Sequence, residues 1–172
     1  MLGTTYISMK MKINQKSLIT AVKEFEAMTL KQKESIVDEI FVQQPNLLGS
    51  VLVQSHLGNR MEQIDVLLKI LIVLHIALKA AKVKIELISE DLQDRELNRL
   101  VANIKFTEGL SQSLSSKSLK NYVDHHKEKH ALAFAFNELV ISGIAHAEEE
   151  CTKYLMLAGL NIVSCISEAK IA

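Results

Sequence analysis

Residues 64 to 88 read IDVLLKILIVLHIALKAAKVKIELI, and this stretch decides the fold class. Ile64, Leu67, Leu71, Leu74, Leu78, Ala81, Ile85 and Ile88 recur at steps of three and four, the spacing of one face of an α-helix. A second row, Val66, Ile70, Val73, Ala77 and Ala80, is also apolar. A two-stranded coiled coil would leave that second row in water. The pattern therefore predicts a long central apolar helix over about residues 60–90, packed in a bundle with neighbours on two sides. A membrane span competes, because residues 64–81 hold fourteen apolar residues in eighteen. Against it, Asp65, Lys69, His75 and Lys79 share one narrow arc, and a charge near the centre of a span costs about 2.5–3.5 kcal/mol. No membrane partner is expected.

Outward from this helix, the composition agrees. The 172 residues include one Pro, six Gly and no Trp, and no Gly or Pro falls between Gly58 and Gly109. A strand-rich chain needs turn residues more often than that, so the reading is an all-α, single-domain helical bundle. Hydrophobic residues make up 48% of the chain, enough for one core without metal or disulfide staples. Twenty Lys and Arg against twenty Asp and Glu leave no broad basic field, which argues against nucleic acid as a partner.

Residues 1–14 form a leader. Ile7, Met9, Met11 and Ile13 alternate with polar residues, so the leader is read as strand-like or disordered. The all-α domain then runs over 15–172. Its first part, 15–58, holds short helices, with Thr29 as a helix N-cap, Pro45 opening a third helix, and Gly58 and Asn59 closing it. Residues 59–172 form the long-helix bundle, with a turn expected near Ser89–Asp94 and a serine-rich linker at 111–118. Helices follow from Leu119 to about Ala147 and onward to about Ser167, separate or fused. Cys151 and Cys165 are fourteen residues apart on that apolar stretch. A helix would hold them about 21 Å apart, so two reduced thiols are expected. With no apolar secretory core in residues 1–16, they point to a cytoplasmic protein.

No dinucleotide or phosphate loop, C-x-x-C, H-E-x-x-H or G-x-S-x-G motif is present, and no catalytic constellation is legible. The densest group of metal-ligand types is Asp124, His125, His126 and His130. On a helix His126 and His130, spaced i, i+4, project from one face and can share Zn²⁺ or another divalent transition metal. The plainer reading of 124–130 is a solvated helix face. Residues 31–57 resemble a helix-turn-helix in outline, but Leu47, Leu48, Val51, Leu52 and Val53 fill the reading helix without a Lys or Arg. In the last helical stretch, Val140, Ile144, Ala147, Cys151, Tyr154, Ala158 and Cys165 follow near-heptad spacing beside Gly143, Ala145 and Gly159. Such a seam suits tight core packing or an isologous dimer surface.

The leading expectation is a small cytosolic, non-enzymatic interaction protein that self-associates, as a homodimer, through apolar helix surfaces and can take a protein partner. The alternative is a helical bundle binding a metal or small ligand at the histidine-rich face 124–130. A transcriptional regulator with a helix-turn-helix near 31–57 ranks third.

Overall fold

The structure, a computed structural model, describes residues 10–108 and 120–172. The chain is an all-α, single-domain helical bundle. Its helices are α1 (Gln15–Ala27), α2 (Leu30–Gln43), α3 (Pro45–Leu52), α4 (Met61–Ala80), α5 (Glu90–Glu108), α6 (described at 120–125), α7 (Lys129–Ile141) and α8 (Glu150–Glu168). The serine-rich 111–118 and residues 1–9 lie outside the described residues.

The amino-terminal helices obey their local signals. Thr29 accepts the N–H of Gln32, whose side chain accepts the N–H of Thr29, a closed capping box at the start of α2. Pro45 takes the first position of α3, where its missing N–H costs nothing. Gly58, at φ 94°, turns the chain out of the short 3₁₀ helix Val53–Leu57.

α4 is the centre of the molecule. Every residue from Ile70 to Leu78 is buried, and α1, α2, α3, α7 and α8 all pack on it. The two-sided helix expected from the sequence is in fact enclosed on nearly every side. Burial of each fully enclosed aliphatic side chain, such as Leu67, Ile70 and Leu74, contributes about 1.5–3 kcal/mol.

The central helix is shorter than its pattern. It ends at Ala80, not near residue 90. Lys82 adopts φ 56°, its N–H meets the carbonyl of Lys79 at 3.0 Å, and the N–H of Val83 meets that of Leu78 at 2.9 Å. These two bonds form a left-handed helix stop of the kind usually built on glycine, here built on lysine. Residues 83–88 then run without helix, and Ile85 makes an antiparallel bridge to Ile171. Ile85 and Ile88 thus keep the heptad count without being on the helix. The turn comes near residue 82, and Ser89 instead caps α5 by accepting the N–H of Leu92.

Of the leader, only residues 10–14 are among the described residues. Residues 10–14 contain no strand, yet Lys12 and Ile13 are buried. Their N–H groups donate to the carboxylate of Glu128 at 2.7 and 3.1 Å, and the Lys12 Nζ donates to the Ser167 carbonyl at 2.7 Å. A side chain, not a strand partner, satisfies this backbone. Nor are the last helices fused: the chain leaves helix at 126–128, and Gly143, at φ 81°, separates α7 from α8.

Within the small-residue seam, Gly159 serves internal packing, while Gly143 and Tyr154 are exposed. A Cβ on Gly159 would lie 3.3 Å from Leu139 Cδ2 and 3.6 Å from Leu67 Cδ1, so α8 meets α7 and α4 closely here. Gly159→Val is expected to cost about 1–3 kcal/mol by overpacking. Gly159→Ala should change stability little, because a helix-propensity gain of about 1 kcal/mol opposes the contact. Urea unfolding of the two variants beside the parent chain measures both.

Candidate functional site

The left-handed stop at Lys82 and the bridge at Ile85 create a cavity. It lies between the last turns of α2, the end of α4, residues 82–85 and Ile166 of α8, with a volume of about 460 Å³. Gln44, the cap shared by α2 and α3, holds its edge: Nε2 donates to the Glu86 carbonyl at 3.0 Å and Oε1 accepts the N–H of Ile88 at 2.9 Å. The carboxyl terminus holds the other edge, through Glu86 N–H to the Lys170 carbonyl and Ala172 N–H to the Lys84 carbonyl.

Three ionisable side chains meet in the wall. Glu39 projects from α2, and His75 and Lys79 project one turn apart from α4. Lys79 Nζ lies 3.0 Å from both oxygens of Glu39. His75 Nε2 lies 3.3 Å from Glu39 Oε2, near enough for electrostatic contact, but is not aligned for a hydrogen bond. Burial pushes the His75 pKa down against the pull of Glu39, so the ring is neutral near pH 7. Burial would raise Glu39, but Lys79 and His75 more than offset it and hold the carboxyl below its ordinary value. No hydroxyl or thiol lines the cavity. The group can bind and orient a ligand and exchange protons with it.

The histidine-rich segment is arranged differently from a shared helix face. α6 ends at residue 125, so His126 and His130 do not share one helix. His125 is exposed, its Nδ1 2.8 Å from the Asn121 carbonyl, and Asp124 is exposed beside it. His126 packs edge-on against Tyr122, and its Nδ1 accepts the N–H of Glu128 at 3.0 Å. Burial holds its pKa low. His130 lies half-buried in the first turn of α7. Among the described residues no three His, Cys, Asp or Glu side chains gather as a metal-binding group. Nor is the segment simply solvated: Glu128 is only 2% exposed. Burial raises its pKa, against the N–H groups of Lys12 and Ile13.

α3, the reading helix of the helix-turn-helix alternative, buries Leu47, Leu48 and Val51 in the core. Both cysteines are free, and burial pushes the Cys165 thiol up to about 12. No helix of the described residues is long and apolar enough to cross a membrane. No protein-family model, curated protein or solved structure matches the chain.

Glu39 and the lysines at 79, 82 and 84 escape a sequence reading because Glu39 and His75 are far apart in the chain and share no motif. One signal was present: Lys82, Val83, Lys84 and Ile85 alternate like a strand. The heptad count ran through it and concealed it.

The titrations have a sign. The folded-state pKa of His75 and of His126 lies below the ordinary 6.5, so between those values the unfolded chain binds more protons. Their contribution is complete above pH 6.5 and is lost as pH falls through the folded values, at up to about 1.4 kcal/mol per pH unit and proton. Glu128, raised, opposes this loss as pH falls further. His75→Leu is therefore expected to flatten the decline of unfolding free energy between about pH 7 and pH 5, read from urea curves at each pH.

Proposed function

We propose that the protein is a non-enzymatic helical interaction protein that self-associates as a homodimer through the outer face of α2. The observation that carries this reading is the exposure of apolar side chains at helical phase. Leu30 is 73% exposed and Phe41 64%, with half-buried Val37 between them. At 100° per residue the three fall within an arc of about 40°. Val42, 78% exposed, lies about 100° round from Phe41, outside this arc. Large apolar side chains held in water along one stripe mark a binding face, whereas scattered ones do not.

The stripe complements itself. A twofold axis passing near Ser35 and Ile36 sets two α2 helices antiparallel, with Leu30 of one copy against Phe41 of the other. The same operation brings exposed Lys31 to the edge where exposed Asp38 of the second copy lies, since both residues flank the stripe on one side. One helix pair covers less than the roughly 1,200–2,000 Å² of a standard stable interface, so the expected dimer dissociates in the micromolar range.

Analytical ultracentrifugation across micromolar concentrations tests this. The parent chain should move from monomer to dimer, and Leu30→Gln/Phe41→Gln should weaken association by at least about tenfold. Asp38→Lys should weaken it and Lys31→Asp/Asp38→Lys should restore it. A parent chain monomeric throughout would sink the proposal.

A further inference from the structure

The cavity at the Lys82 stop has the size and lining of a small-molecule site. Its 460 Å³ falls within the roughly 300–1,000 Å³ of pockets that enclose organic ligands. The floor is aliphatic, formed by Leu47, Leu71, Leu78, Ile85 and Ile166. Such a floor favours a hydrocarbon body and offers no hydrogen bond to a polar one.

The rim carries a positive excess. Lys79, Lys82 and Lys84 stand against the single carboxylate of Glu39. Lys79 holds both oxygens of that carboxylate, which neutralises the pair. Lys82 and Lys84 remain, exposed and without an ion pair among the described residues. Their backbone is held at the mouth by the left-handed turn on one side and the bridge between Ile85 and Ile171 on the other. His75, 9% exposed, lines the wall with its Nε2 3.3 Å from the Glu39 carboxylate, so it leaves the two rim lysines free of competition.

We propose that this cavity binds a small amphipathic anion, a free monocarboxylate on a medium-length hydrocarbon chain, with the chain on the aliphatic floor and the carboxylate at Lys82 and Lys84. The lysines supply the charge-assisted contacts, and the floor supplies most of the affinity through apolar burial. Glu39, kept on Lys79, does not compete for the two rim lysines. The site is separate from the Leu30–Phe41 stripe, so it stands whether or not the chain dimerises.

Titration of the full chain with decanoate, decan-1-ol and inorganic phosphate, followed by calorimetry and by amide chemical shifts, tests the proposal. Decanoate should bind at least about tenfold more tightly than decanol and shift the amides of residues 39–47 and 82–85. Lys82→Gln/Lys84→Gln alters two exposed side chains outside the core. It should weaken decanoate by at least about fivefold and leave decanol unchanged. Absence of decanoate binding at millimolar concentration overturns the proposal, as does equal affinity for the alcohol. Phosphate binding as tightly as decanoate, or shifts confined to other helices, overturns it too.

Discussion

The left-handed turn at Lys82 is the constraint on which the functional end of the molecule depends. A helix as apolar as α4 has no reason to stop while its pattern continues, and the bonds Lys82 N–H to Lys79 and Val83 N–H to Leu78 stop it. Because the chain turns there, residues 83–88 cross back toward Gln44 and meet the carboxyl terminus at Ile171. Had α4 continued to residue 90, Lys82 and Lys84 would project from a helix into solvent, and there would be no cavity beside His75. The stop uses a lysine at a conformation that side chains adopt at some cost. The burial of Val83, Ile85 and Ile88 beyond it offsets that cost.

The same economy of backbone bonding recurs at the other end of the bundle. Glu128 lies where the chain passes between α6 and α7, at the N-cap of α7, with its carbonyl accepting the N–H of Leu132. It accepts two N–H groups from the segment before α1 while its own N–H donates to His126. One buried carboxylate therefore ties the amino-terminal segment to the break in the carboxy-terminal third. Lys12, bound to Ser167, lies close enough to moderate its charge. The lysine- and histidine-rich stretch is thus partly a structural junction, and His126 is occupied in holding it.

What was legible in the sequence follows from how local each signal is. Thr29 and Pro45 act on their nearest neighbours and start their helices where the sequence places them, whereas the third α-helix ends at Leu52 and Gly58 ends the 3₁₀ helix that follows it. The apolar circumference of α4 is equally local and identified the central helix. The end of that helix was not legible, because two explanations of Ile85 and Ile88 coincide: a heptad and an alternating strand share those positions. The spacing of His126 and His130 failed for a related reason. It presumes an unbroken helix, and the chain leaves helix at 126–128, where Glu128 binds residues more than a hundred positions away.

The sequence by itself determined the fold class, the burial of α4 and the starts of its short helices, since periodicity and capping depend on residues within a turn or two of one another. Only the tertiary structure decided that Gly159 is a packing contact, that Glu128 is buried, and that Glu39, His75 and three lysines share one cavity. Those groupings arise from where distant helices end and cross, and the energy that places a chain end comes from contacts across the core.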